Sequence, residues 1–153
     1  MRAWNTKGRK AVTITVTERP MTKLITASHG PLAEAIKESA RLFFGNAVDE
    51  IPAFCLNQED DPMEFQSRIQ EKIEEIDDGD GVLILADLFG GTPFNMAGVT
   101  MDAVKDSHHV VCLSGMNLPL FMEAFSMEDS CSLKELMDHL KEISSDTIRE
   151  LEI

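Results

Sequence analysis

Five consecutive apolar residues, Val82-Leu83-Ile84-Leu85-Ala86, constrain the fold more than any other stretch of the chain. A strand with one wet face alternates apolar and polar residues. A run without alternation fits a strand covered on both faces, as in a parallel sheet sandwiched between helices. The run passes directly into Asp87-Leu88-Phe89-Gly90-Gly91-Thr92-Pro93. Thr92 reads as a helix cap and Pro93 as the first helical residue. Phe94, Ala97, Met101 and Val104 then recur at the spacing of one helical face.

The rest of the chain repeats this alternation of strand and helix. Lys23 to Ala27 reads as the first strand. Ser28-His29-Gly30-Pro31 follows, and Leu32, Ile36, Ala40 and Phe43 give a helix that stops at Gly45. Val48 to Leu56 reads as a second strand, placed at a sheet edge because Pro52 cannot donate to a ladder. Asp61-Pro62 opens a helix carrying Phe65, Ile69, Ile73 and Ile76. Val110 to Leu113 is a fourth strand, Ser114 to Asn117 its exit loop, and Leu118 the start of a short helix. Ser132-Leu133-Lys134-Glu135 is a capping box before Leu133, Leu136, Leu140 and Ile143. Thr147 to Ile153 alternates roughly, which reads as an exposed or edge strand open to pairing with a second subunit. The whole predicts a doubly wound α/β domain, its mainly parallel sheet in the order 2-1-3-4, with helices on both faces.

With 153 residues, the chain suits one domain. Residues 1–20 hold Arg2, Lys7, Arg9, Lys10 and Arg19 against Glu18 alone, leaving nine basic and 26 acidic side chains in the remainder. This segment reads as an appended or mis-started leader outside the fold, the alternative being a genuine basic arm, and residues 21–153 as the single domain. A net charge of −13 disfavours nucleic acid, whose affinity rests on Lys and Arg contacts to phosphate. It permits a basic protein partner. No apolar run approaches the roughly 20 residues of a bilayer span. Cys55, Cys112 and Cys131 form no CxxC pair, and Cys55 and Cys112 lie in apolar runs, which reads as buried free thiols of a cytoplasmic protein.

In an open α/β sheet, ligands gather beyond the carboxyl ends of the strands. Three strand ends are expected at that rim: Ser28-His29-Gly30, Asp87 to Thr92, and Ser114 to Asn117. With the first and third strands adjacent, the His29 and Asp87 side chains touch. A carboxylate beside an imidazole fixes which nitrogen holds the proton and stabilises the cation formed when the other nitrogen reacts. Imidazole titrates near pH ~6.5, so a neutral nucleophile exists at cytosolic pH. Backbone amides at Gly30, Gly90, Gly91 and Thr92, beside helix N-termini, form an anion site without Arg, and the Thr92 hydroxyl adds a hydrogen bond. The chemistry indicated is phosphoryl transfer, which needs mainly positioning and charge stabilisation. On spacing alone, structural readings also stand: a histidine in a strand-end loop, an aspartate capping a turn, glycines making one. His108-His109 sits at the amino end of its strand and His139 on a solvated helix face. No metal set forms, since His29 and Asp87 leave a zinc site two ligands short.

The blocks ITASHGPLAEAI, GDGVLILADLFGGTPFN and LSGMNLPLFME closely resemble the enzyme IIA component of the mannose/fructose/sorbose family of the bacterial sugar phosphotransferase system. The resemblance runs from Met21 to the C-terminus, in the family's order and spacing. It implies a phosphohistidine intermediate: His29 accepts a phosphoryl group on Nε2 from the phosphocarrier HPr and passes it to a histidine of the cognate enzyme IIB. Enzyme IIB then phosphorylates sugar entering through a membrane permease. Sugar choice lies with the permease and partly with IIB. Asp87 matches the aspartate that bonds the other ring nitrogen, and Thr92 a Ser/Thr position that meets the phosphoryl group. The fifth strand, here Thr147 to Ile153, is antiparallel and exchanged across a homodimer. No cofactor is implied. The leader has no counterpart, and Ser28 stands where Thr is common. Competing readings are the phosphocarrier subunit of a dihydroxyacetone kinase, a non-catalytic regulatory module of the same fold, and a flavodoxin-like cofactor binder. GGTPF argues against the first and the His29–Asp87 set against the second. The absence of Tyr, with Trp4 the only Trp, argues against the third.

Overall fold

The computed structural model describes residues 20–153; the leader assigned to residues 1–20 lies, but for Pro20, outside them. Among the described residues the sheet has four parallel strands: β1 (Lys23–His29), β2 (Ala53–Leu56), β3 (Val82–Ala86) and β4 (Val110–Ser114). Their order is β2-β1-β3-β4. The helices are α1 (Leu32–Phe44), α2 (Pro62–Ile76), α3 (Thr92–Val104), α4 (Leu118–Met127) and α5 (Leu133–Ile143).

The apolar run of β3 is buried throughout and feeds two cores. Leu83 and Leu85 face a core built with α1, α4 and α5, while Val82 and Ile84 face one built with α2 and α3. Each face of the sheet is thus covered, and alternate side chains of one strand serve opposite layers.

Several elements differ from the sequence expectation. β1 runs two residues further, so His29 ends the strand itself. The stretch from Val48 to Ile51 is not strand. Gly45, at φ 62°, turns the chain out of α1 into a 3₁₀ helix over Gly45–Glu50, held back by an Arg41–Asp49 ion pair. Val48 and Ile51 still reach the core, which explains their apolar character. β2 remains an edge strand, with Pro52 just ahead of it.

On α1 the buried face is Ala33, Ile36, Lys37 and Ala40; Leu32 and Phe43 lie on its flanks and are exposed. On α3 it is Pro93, Ala97, Thr100 and Val104, displacing Phe94 and Met101 to the margins. Thr100 belongs there because its hydroxyl accepts a hydrogen bond from the buried Gln66 of α2, at 3.1 Å. Cys55 and Cys112 are free and half-buried, not fully buried.

The strand expected over Thr147 to Ile153 is absent from the single chain. Ser144–Thr147 is a 3₁₀ turn, and Ile148, Leu151 and Ile153 are exposed. Strands persist by joining a ladder, and the tail meets none here. Instead the Asn117 amide donates to Thr147 Oγ1 (3.2 Å), tying the start of the tail to the beginning of α4.

Candidate active site

The β1–β3 ladder ends at Ala27 opposite Ala86, which brings the next residues of the two strands together. The Asp87 amide donates to the Ala27 carbonyl, 3.2 Å. Asp87 Oδ2 in turn accepts two hydrogen bonds from His29, one from the backbone N–H and one from ring Nδ1, each 2.9 Å. A carboxylate only accepts, so this contact puts the ring proton on Nδ1 and leaves the Nε2 lone pair free. The His29 side chain is 43% exposed and that of Asp87 12%. Asp87 Oδ1 is buried without a partner among the described residues, so His29 engages all of this carboxylate's hydrogen bonds.

The imidazole lies against Gly91. A Cβ at that position would stand 2.5 Å from His29 Cε1, closer than atoms can pack, and 3.2 Å from Nε2, a tight contact. Gly91 is therefore required as a flat seat for the ring. Its amide is not open to a ligand, because it donates to the Leu88 carbonyl (3.1 Å). Nor is the Gly30 amide, which donates to the Leu56 carbonyl (2.8 Å). Between Asp87 and Asn95, the amides of Leu88, Phe89, Gly90, Thr92 and Phe94 have no backbone acceptor among the described residues, and the last three stand at the N-terminus of α3. The Asn95 side chain donates to the Gly90 carbonyl (3.0 Å), which braces this loop.

Thr92 is the first residue of α3, and Gly91, not Thr92, is its cap. No side chain caps this helix, whereas Asp61 caps α2, Asn117 caps α4 and Ser132 caps α5. An uncapped helix N-terminus presents open N–H groups and the positive end of the helix dipole, which suits an anion.

His29, Gly30 and Thr92 line a cleft of about 460 Å³. Its far wall is Leu56, Asn57, Gln58, Asp60 and Pro62, from the end of β2 and the loop into α2. None of the lining residues is Lys or Arg, so an anion here relies on the amides and the dipole. The third expected contributor, Ser114 to Asn117, does not line the cleft. In the order β2-β1-β3-β4 the neighbours of β1 are β2 and β3, and the β4 exit lies one strand further away. Beside the cleft, Leu88 and Phe89 are exposed, with Phe89 against Phe94 at 5.1 Å between ring centroids.

The other histidines stand elsewhere. His108 Nδ1 meets Asp77 Oδ2 at 2.8 Å. His139, expected to be solvated, is half-buried and pairs its Nε2 with Glu123 Oε1 at 2.7 Å. Among the described residues no group of three His, Cys, Asp or Glu side chains could hold a metal ion. No helix among them is long and apolar enough to cross a membrane.

Comparison with known proteins finds similar chains. The family model EIIA-man, described as PTS system fructose IIA component, matches residues 23–141. The chain is 29% identical over 131 residues to the PTS system fructose-specific EIIA component of Bacillus subtilis (strain 168), covering 84% of this chain and 86% of that protein. It is 30% identical over 132 residues to the sorbose-specific EIIA component of Lacticaseibacillus casei, covering 81% and 86%. The crystal structure of phosphotransferase system component EIIA from Streptococcus agalactiae superposes with a TM-score of 0.75 at 27% identity, over 85% of this chain and 97% of that one.

Proposed function

The chain belongs to the EIIA-man family of sugar phosphotransferase system IIA components, and on that premise we propose that it is a phosphocarrier whose acceptor atom is His29 Nε2. The observation that carries this reading is one arrangement. His29 is held through Nδ1 by Asp87, and its free nitrogen stands beside the uncapped N-terminus of α3.

The step is an in-line displacement at phosphorus. The Nε2 lone pair forms the new P–N bond as the P–N bond of phospho-HPr breaks, and HPr leaves with the electron pair on its own histidine. The imidazole becomes cationic while Nδ1 keeps its proton, and Asp87 stabilises that charge. The Gly90, Thr92 and Phe94 amides and the Thr92 hydroxyl bear the phosphoryl oxygens. Transfer to a histidine of enzyme IIB runs the same chemistry with His29 as leaving group. The exposed Leu88 and Phe89 beside the cleft favour a protein donor over a small phosphate ester, because exposed apolar side chains next to a site mark macromolecular contact. The reading places the chain in the cytoplasm, serving a permease indirectly, and as a homodimer in which residues 147–153 find the ladder partner they lack in one chain.

The test is incubation with phospho-HPr. One acid-labile, base-stable phosphate per chain is expected, and none in a folded His29→Gln variant. Labelling of that variant would end the assignment.

A further inference from the structure

Ser28 is fully buried, and its hydroxyl is used on both sides. It donates to the Gly30 carbonyl at 3.1 Å and accepts from the Ala33 amide at 2.8 Å. The second bond serves α1, whose N-cap residue is Pro31 and provides no side-chain cap. The first spans His29: the two residues flanking the nucleophile are tied to each other, with the histidine between them. Gly30 stands at φ 54°, its amide held by the Leu56 carbonyl on the β2 side and its carbonyl by the Ser28 hydroxyl.

That brace bears on the double contact at Asp87. The His29 backbone N–H and Nδ1 reach the same carboxylate oxygen, each at 2.9 Å, which requires the backbone and the ring to be oriented together. Asp87 fixes the ring end, and the backbone end depends on what orients the Ser28–His29–Gly30 turn. We infer that Ser28 is a positioning residue for the phosphoryl-transfer reaction, its hydroxyl locking the turn so that Asp87 holds His29 by backbone and ring at once. This rests on the reading of His29 as the phosphoryl acceptor.

The test uses the full chain and two readouts, the rate of labelling by phospho-HPr and the proton NMR signal of the hydrogen-bonded His29 Nδ1–H. In Ser28→Ala, labelling is expected to slow about tenfold or more, since small misplacements of a reacting group cost that much. The Nδ1–H signal should broaden or vanish, and Ser28→Thr, which restores a hydroxyl, should recover both. Ser28→Cys keeps the side-chain shape at a slightly larger size and weakens both hydrogen bonds, so it gives the same reading if the alanine variant unfolds. Ser132→Ala removes the cap of α5. It should lower the melting temperature while leaving rate and signal unchanged. A wild-type signal and rate in the alanine or cysteine variant would overturn the inference, as would equal losses in Ser132→Ala. The proton signal is read without phosphoryl transfer. A wild-type chain that never labels would therefore end the proposed function, while the signal would still decide Ser28.

Discussion

His29 and Asp87 meet at 2.9 Å at the carboxyl end of the sheet; His108 and Asp77 meet at 2.8 Å near its amino end. The chemistry of the two contacts is the same and the surroundings are opposite. Asp77 is almost wholly buried, and its Oδ1 also accepts from the Gly79 and Gly81 amides, at 3.0 and 3.1 Å. Burial pushes Asp77 up, but hydrogen bonds from His108, Gly79 and Gly81 outweigh it and hold the carboxyl below its usual range. That pair closes the turn into β3 against the turn into β4. The His29 ring is more than twice as exposed as that of His108, and open amides of α3 stand beside it. A histidine–aspartate pair is thus common to a structural clamp and to the proposed reactive centre. What separates them is the exposure of the ring and the uncapped helix N-terminus beside it.

Substitutions at the two ends should therefore diverge. The largest loss short of removing His29 is expected from Asp87→Asn, with labelling by phospho-HPr slowed roughly a hundredfold or more, because the amide no longer fixes the tautomer or stabilises the cation. Asp77→Asn should leave that rate alone, and equal slowing in both variants would erase the distinction. Gly91→Ala comes next. Its methyl group would collide with the imidazole, so labelling should fall about tenfold or more while the thermal midpoint changes little.

At the amino end, Asp77→Asn is expected to cost about 1–3 kcal/mol of stability, measured by denaturant unfolding, because the amide keeps one oxygen for the Gly79 and Gly81 amides but sets a donor against His108 Nδ1 and removes the charge. A carboxyl held low in the folded state contributes stability at neutral pH and loses it as pH falls through the folded value. The cost of Asp77→Asn should accordingly shrink in acid. Glu128 behaves in the opposite sense. Burial, with help from Asp129, pushes it from 4.5 up to about 7. The folded chain holds this proton longer than the unfolded chain, so stability falls as pH rises between those values. Glu128→Gln should flatten that slope and raise the melting temperature slightly at pH ~8, and an unchanged slope would remove Glu128 from the balance.

Much of this was legible in the sequence for reasons that are themselves physical. An apolar run that never alternates has one structural home, and β3 occupies it. His29 and Asp87 each follow such a run closely, so adjacent strands had to bring them together. Gly91 was read as an anion-binding amide, because spacing identifies a glycine but not the ring resting on it. The far wall of the cleft was missed although the signal existed: the order 2-1-3-4 makes the β2 exit, not the β4 exit, the neighbour of His29. Ser28 and the Gln66–Thr100 pair were invisible to periodicity, which scores them as polar and has no term for a hydroxyl satisfied inside. The tail defeats single-chain reasoning because a strand is defined by its partner.

Imidazole 15N NMR of the phosphorylated chain tests the central claim most directly. The expected spectrum has phosphorus coupled to Nε2 of His29, with Nδ1 still protonated and hydrogen-bonded to Asp87. Phosphorus on Nδ1 of His29, or on His108, His109 or His139, would contradict it.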